Sequence, residues 1–277
     1  LKYDIESKSL VKECYWNIKK FYENQVARED IAEELEATII EAFNLRMIAD
    51  VPVGVFLSGG IDSSLVAAIV QKYSKIPINT FTIGFEDKKY DESNYAKEIA
   101  KYLGTNHTEL ICKKEDALAI ITKLPKIFDE PFADSSAIPT VLVSELAKKK
   151  VSVVLSGDGG DELFCGYPSY VLIEKRFKLL SKVPFRKTLR KISNIFPVPI
   201  FIQNKFNEKL YNKVIKFKNM LDHDDIVNTF KVANSVFSKD EIKGLIREGY
   251  FFSKDIPATT SNLEKMMISD LKGCLPD

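Results

Sequence analysis

A chain of 277 residues, 45% hydrophobic and 29% charged, has the size and composition of a soluble globular protein of one or two domains. Forty basic side chains stand against 39 acidic ones, a net of +1, so global charge does not select nucleic acid or an anionic membrane as the main partner. No apolar run reaches the length of a membrane span, and the opening LKYDIESKSLVKE lacks the apolar core of a signal peptide.

Residues 1–28 form a polar lead-in with aromatic anchors Tyr15, Trp16, Phe21 and Tyr22. A helix is predicted from Asp30. Asp30 and Glu33 are spaced like a capping box, and Ile31, Leu35, Ile39, Phe43 and Met47 repeat every four residues along one stripe. Strand signals follow at 51–57, 78–83, 108–111 and 151–155. Helical patterns separate them near 62–74, 91–103 and 137–149, with a weaker one near 114–123. Such alternation predicts an α/β domain on a parallel sheet. After Tyr170 the character changes. Residues 174–218 carry thirteen Lys or Arg against two Glu, interrupted by Pro184, Pro197 and Pro199, and the rest reads as helices without strands. The expectation is a helical extension whose basic run is a solvated face or a docking surface for an acidic partner. No internal repeat or low-complexity tract stands out.

Cys14, Cys112, Cys165 and Cys274 are scattered without CxxC spacing, which fits reduced thiols in a cytoplasmic chain rather than disulfides or a zinc site. His107 and His223 are isolated and read as structural or exposed rather than as metal ligands. The chain starts at Leu1 and stops at LKGCLPD without a closing element, so a fragment of something longer is expected.

Two stretches carry chemistry. In FLSGGIDSSLVAAIV, residues 56–70, an apolar strand turns through Ser58–Ser64 into a helix. The unpaired amides and positive dipole end at such a turn favour a phosphate, and Gly59 and Gly60 let backbone approach a ligand closely. Neither GxxxxGK[ST] nor GxGxxG is present. Asp62 lies within the loop, and a carboxylate facing polyphosphate calls for an intervening cation, for which oxygen-ligated Mg²⁺ is suited. The plainer alternative is a tight turn capped by Asp62 and Ser63. The second stretch, VVLSGDGGDELFCGY at 153–167, again runs from a strand through Ser-Gly into glycines and acids. In a parallel sheet both loops leave the carboxyl ends of their strands, where a ligand crevice lies when the two strands flank a topological switch point. There Asp158, Asp161 and Glu162 bring further carboxylates, a donor set suited to magnesium shared with a polyphosphate.

SGGIDSS at 58–64 resembles the signature of the PP-loop, or N-type, ATP pyrophosphatases, whose fold is adenine nucleotide alpha hydrolase-like. SGDGGDELFCGY at 156–167 resembles the second signature of the synthetase domain of glutamine-hydrolysing asparagine synthetases. FTIGFEDKKYDESNYAKEIAKYLGTNHTEL at 81–110 is similar to that family's second strand, helix and third strand, and DEPFADSSAIPT at 129–140 resembles its next loop. The likeness covers residues 30–170 closely and the flanks loosely.

The resemblance implies adenylation of the aspartate side-chain carboxylate by ATP with Mg²⁺, then attack by ammonia to give asparagine, AMP and pyrophosphate. It assigns Ser58, Gly59, Gly60, Asp62, Ser63 and Ser64 to pyrophosphate and Asp62 and Asp161 to magnesium. Leu57, Ile83, Ser156 and Gly157 match backbone positions that hold adenosine. Asp158 occupies a place where some relatives carry Glu, and is the candidate for handling the amine proton. Asp134, Ser135 and Ser136 resemble a loop near the acyl acceptor, with helix capping ahead of Ala137 as the structural alternative.

On this reading residues 1–28 are a linker from a glutaminase domain absent from the chain, which would supply the ammonia. Residues 29–172 are the ATP-binding core, and 173–277 a helical, basic extension truncated at its end. The fragment alone is expected to bind ATP without necessarily turning over. A homodimer is left open. The rival readings are a related amidotransferase acting on another carboxylate, such as a sugar acid, a tRNA-modifying PP-loop enzyme and a nucleotide-binding regulatory module. The tRNA reading lacks CxxC pairs and an added RNA-binding module.

Overall fold

The computed structural model describes residues 1–18, 20–21, 29–129, 132, 134–185, 188, 220–221, 224–235 and 261–273. The chain divides into two compact units, Arg28–Gly160, and Leu1–Ala27 together with Asp161–Asp277.

The lead-in contains a hairpin that the sequence did not announce. Strand β1 (Lys2–Asp4) pairs antiparallel with β2 (Ser9–Val11), Tyr3 opposite Leu10. The Asp4 carboxylate closes the turn by accepting from the Ser7 amide and hydroxyl, each at 2.7 Å. Both strands are exposed, so no buried face imposed an alternating pattern. Tyr15, Trp16 and Phe21 are exposed rather than anchoring, and Ile18 is buried instead. Tyr22 lies outside the described residues.

The Arg28–Gly160 unit holds the α/β core that the alternation predicted. Helix α1 (Ile31–Met47) leads to β3 (Val53–Phe56), α2 (Ile61–Tyr73), β4 (Asn79–Phe85), α3 (Ser93–Leu103) and β5 (Asn106–Cys112). Then come α4 (Lys114–Ile121), the single turn α5 (Leu124–Ile127), α6 (Ala137–Ala147) and β6 (Val153–Leu155). Four strands lie in the order β5-β4-β3-β6, all parallel, with Val55 opposite both Thr80 and Leu155. Both faces are covered, as a parallel sheet requires. Val55, Leu57, Ile78 and Leu155 meet Val66, Ala67 and Val70 of α2 and Ala96 and Ala100 of α3. Phe81 faces Val143 and Ala147 of α6, and Cys112 meets Ile120 and Leu142. Full burial of side chains such as Val55 and Phe81 stabilises by roughly 1.5–3 kcal/mol each.

Helix α1 forms where predicted, but the capping box does not. Asp30 is the N-cap and makes no side-chain cap bond. Only the far end of the apolar stripe, Phe43 and Met47, packs on the core, while Ile31 and Leu35 are exposed.

The strand order positions the loops. From β3 the chain steps to β4 and β5 on one side, then returns to place β6 on the other side of β3. The carboxyl ends of β3 and β6 therefore flank the switch point, the place where open parallel sheets commonly bind ligands.

The second unit is helical after residue 160 among the described residues. Helices α7 (Gly160–Phe164), α8 (Pro168–Ser181), α9 (Ile226–Asn234) and α10 (Asn262–Gly273) follow in turn. Tyr170 and Ile173 of α8, Ile226 and Phe230 of α9, and Met266 and Met267 of α10 form its core. Helix α10 starts with a true capping box, Ser261 N–H donating to Glu264 Oε2 at 2.6 Å and Glu264 N–H to Ser261 Oγ at 3.3 Å. Most of the basic run 174–218, with His223 and Cys274, lies outside the described residues. Among those described, no helix is long and apolar enough to cross a membrane.

Candidate functional site

Beyond β3 the backbone stays in the sheet for one more residue. Leu57 N–H donates to Phe81 O at 2.9 Å and its side chain is buried. The chain then turns through Ser58 and Gly59, and Gly60 is the N-cap of α2. The first intrahelical bond runs from Ser64 N–H to Gly60 O at 3.1 Å, so the amides of Ile61, Asp62 and Ser63 have no partner within the helix. Those donors and the positive dipole end constitute an anion cradle.

The two glycines differ. Gly59 has φ +89°, and a Cβ there would lie 2.8 Å from Tyr95 Cβ and 2.9 Å from Ala96 N, so the fold itself demands glycine. A Cβ on Gly60 would meet only Ser58 Oγ, at 3.4 Å. Its missing side chain opens onto unfilled space, as a closely approaching ligand would require.

The capped-turn alternative is not what forms. Gly60 makes no side-chain cap, and Ser63 turns back into the loop. Its hydroxyl accepts from Ser58 N–H at 3.1 Å, shares a hydrogen bond with Ser58 Oγ at 2.9 Å and reaches Gly60 O at 3.3 Å. Ser64 Oγ donates to Gly60 O at 2.6 Å. The hydroxyls therefore brace the loop's shape in this state.

The loop after β6 lies directly on that first turn. A Cβ on Gly157 would sit 2.9 Å from Ser63 N, and one on Gly160 would sit 2.5 Å from Asp62 Cγ and 2.6 Å from its Oδ2. Gly159 adopts φ +90° between them. Ser156 Oγ donates to Asp158 Oδ2 at 2.7 Å, so the exposed Asp158 carboxylate is steered by its own loop. Leu57, Ser156 and Gly157 thus stand at the ends of neighbouring strands, whereas Ile83 sits within β4, opposite Leu110. Asp62 is half-buried, and no hydrogen bond from another described residue reaches its carboxylate. Among the described residues, no cluster of three or more His, Cys, Asp or Glu is gathered to cage a metal. One half-buried carboxylate beside an anion cradle fits the way Mg²⁺ is usually held, by few carboxylates plus phosphate oxygens.

In the other unit, Asp161 and Glu162 lie in the first turn of α7. That helix ends in a Schellman arrangement: Gly166 N–H donates to Asp161 O at 2.9 Å, and Cys165 takes the left-handed position with φ +59°. Gly166 Cα rests against the Asp161 carboxylate, where any Cβ would collide with Oδ1. Glu162 is buried and accepts from the Tyr167 hydroxyl at 2.9 Å. Tyr170, fully buried, donates to Asp270 Oδ2 at 2.7 Å. Burial pushes both phenols well above the ordinary tyrosine range, keeping them as donors, and burial also raises the Asp270 carboxyl. Sequence reading found none of these pairings beyond Glu162 itself.

Asp134, Ser135 and Ser136 follow their structural alternative in modified form. Ser136 is the N-cap of α6 without a side-chain bond, while Asp134 Oδ1 accepts from Ser136 N–H at 2.8 Å, one step before the helix. Glu130, Pro131 and Ala133 lie outside the described residues. Asp91 went unnoticed in the sequence: it accepts from Ser93 N–H at 3.1 Å and Phe85 N–H at 3.3 Å, joining the end of β4 to the start of α3. Hydrogen bonds from the Ser93 hydroxyl and amide lower its pKa. An Asp two residues ahead of a helix was the available signal. His107 is structural, as expected: its Nδ1 meets Thr80 Oγ1 at 2.9 Å on the sheet.

The family model described as asparagine synthase matches residues 34–277. A protein of Methanocaldococcus jannaschii, whose name marks it as an inferred glutamine-hydrolysing asparagine synthetase, is 40% identical over 205 residues, covering 70% of this chain and 39% of that protein. The glutamine-hydrolysing asparagine synthetase 1 of Bacillus subtilis is 31% identical over 236 residues, covering 77% of this chain and 37% of its own length. The matched region is thus under two fifths of either relative's length.

Proposed function

This chain belongs to the asparagine synthase family, and from that premise we propose that it is the ATP-dependent, amide-forming synthetase part of a longer ligase, with aspartate as acceptor and asparagine as product. A carboxylate oxygen of aspartate attacks the α-phosphorus of ATP, the bond to the β-phosphate breaks and pyrophosphate leaves. Ammonia then adds to the acyl carbon, nitrogen loses a proton, and the bond to AMP breaks. Splitting the displacement in this way turns a poor electrophile into an activated one.

The amides at the start of α2, with Ser58, Ser63 and Ser64, hold the pyrophosphate, and Gly59 and Gly60 give it room. The backbones of Leu57, Ile83, Ser156 and Gly157 hold the adenosine. Asp62 and Asp161 would hold Mg²⁺, which when bound would supply charge neutralisation for the departing pyrophosphate. Asp158 receives the amine proton, its carboxylate held by Ser156. Ammonia comes from glutamine hydrolysis on a domain outside this chain, and the reaction takes place in the cytoplasm.

The observation that supports this reading best is the close approach of Gly157 and Gly160 to the turn bearing Asp62, at the switch point of a parallel sheet. The test is release of pyrophosphate and AMP from ATP by the longest natural form of the protein, with ammonium and a panel of carboxylic acids. Release that requires aspartate and yields asparagine is expected. Release with another acid would keep the chemistry and replace the acceptor, and no release with any acid would overturn the catalytic reading.

A further inference from the structure

A row of side chains in the helical unit leads from the last described helix to the residue beside Asp161. Glu162 of α7 is 7% exposed, an unusual setting for a carboxylate whose partner among the described residues is a neutral hydroxyl. Its partner is the hydroxyl of Tyr167, the N-cap of α8. The Tyr167 ring meets the Tyr170 ring edge-on, centroids 5.6 Å apart, and the Tyr170 ring in turn packs on Phe230 at 5.5 Å. Tyr170 donates to Asp270 of α10 across 100 residues of sequence. Buried polar pairs of this kind are costly when half satisfied and specify one arrangement when complete. Here each tyrosine hydroxyl gives its single proton to one carboxylate.

Helix α7 has only five residues and ends on a non-glycine left-handed residue, so its own hydrogen bonds hold its orientation weakly. Its buried Glu162 is one point at which this short helix, and with it the neighbouring Asp161, is tied to α8. We infer that Glu162, Tyr167, Tyr170 and Asp270 form a positioning relay through which α10 sets the Mg²⁺ affinity contributed by Asp161. The relay rests on the reading of Asp161 as a magnesium ligand. Its four members bond or pack on one another and act on Asp161 only through α7. Outer partners that orient metal-binding carboxylates commonly change metal affinity by about 10–100-fold when removed.

Tyr170→Phe keeps the ring and its packing and deletes only the donor; Asp270→Asn deletes the charge it serves. For each, in the full chain, binding of a fluorescent ATP analogue is followed against free Mg²⁺, beside a thermal unfolding curve. The expected result is a roughly tenfold rise in the half-saturating Mg²⁺ concentration, with analogue affinity at saturating Mg²⁺ unchanged. A merely structural role would lower the unfolding midpoint and leave the Mg²⁺ requirement where it was, which would overturn the relay. Asp161→Asn separates the two levels. If it raises the Mg²⁺ requirement and folded Tyr170→Phe does not, the relay falls and the ligand reading stands. If Asp161→Asn has no effect either, both fall. Should Tyr170→Phe fail to fold, Tyr167→Phe breaks the same row at its other hydroxyl and carries the same expectation.

Discussion

The loops after β3 and β6 are spelled with nearly the same letters, SGGIDSS and SGDGGD, yet they are held by different means. The first braces itself: Ser58 and Ser63 bond each other, and Ser64 returns to Gly60. The second has one internal brace, Ser156 to Asp158, and its glycines serve contact, bringing Gly157 and Gly160 against the first loop's Ser63 and Asp62. Glycine thus has three uses in these two loops. At Gly59 it permits a left-handed turn tight against α3, at Gly60 it leaves space for a guest, and at Gly157 and Gly160 it allows two backbones to meet. Composition alone does not separate these uses; only the neighbouring atoms do.

The largest expected effect tests whether the two loops act as one site. Asp62→Asn should lower pyrophosphate release by on the order of 10²–10³-fold with little change in the unfolding midpoint. Retained turnover would mean that the close approach of the loops serves packing alone. Next comes the contrast between the paired glycines. Gly59→Ala should cost about 2–4 kcal/mol in urea unfolding, since it adds a left-handed penalty to overpacking on α3. Gly60→Ala should cost under about 1 kcal/mol yet weaken ATP binding tenfold or more. Equal stability losses at the two positions would erase the distinction between shape and space.

Smaller still is the self-bracing itself. Ser63→Ala should destabilise by about 1–2 kcal/mol because it strips partners from a part-buried loop, and Ser156→Ala by under about 1 kcal/mol because its partner is exposed. The reverse order in urea unfolding would show the second loop to be the more tightly held. His107, on the sheet, serves as a control lying on neither loop. Burial lowers its pKa from the usual 6.5 and its Nε2 has no partner, so the unfolded chain binds this proton more readily. Its contribution to stability is therefore complete above pH 6.5 and declines as pH falls from there toward the lowered folded value. His107→Asn should flatten urea stability across that window and leave ATP binding unmoved.

Much of the core was legible because period and chemistry agreed. Val53–Phe56, Asn79–Phe85 and Asn106–Cys112 form where β-branched and aromatic residues accumulate between turn residues, and buried parallel strands leave few alternatives. That two strands end in Ser-Gly was legible, whereas their standing side by side at a switch point came only with the strand order. The hairpin at Lys2–Val11 was hidden because it buries nothing. Asp30 and Glu33 had the letters of a capping box and not its bonds, whereas Ser261 and Glu264 have both. The turn at Gly59 was recognised but its reason was not, since the atoms that exclude a side chain belong to Tyr95 and Ala96, more than thirty residues on. The Tyr170–Asp270 bond was beyond any local pattern for the same reason, on a longer scale.

That last separation bears on how the molecule comes off the ribosome. Every strand pairing of the sheet lies inside the continuous stretch Arg28–Gly160, so this unit can complete itself while later codons are still being read. The helical unit is discontinuous, and Tyr170 stays without its acceptor until residue 270 has left the exit tunnel. Non-local closure of this kind makes its folding the slower step. The nascent chain can therefore complete the turn at Gly59 and Gly60 first, and the segment that follows Asp161 is locked only after residue 270 has emerged.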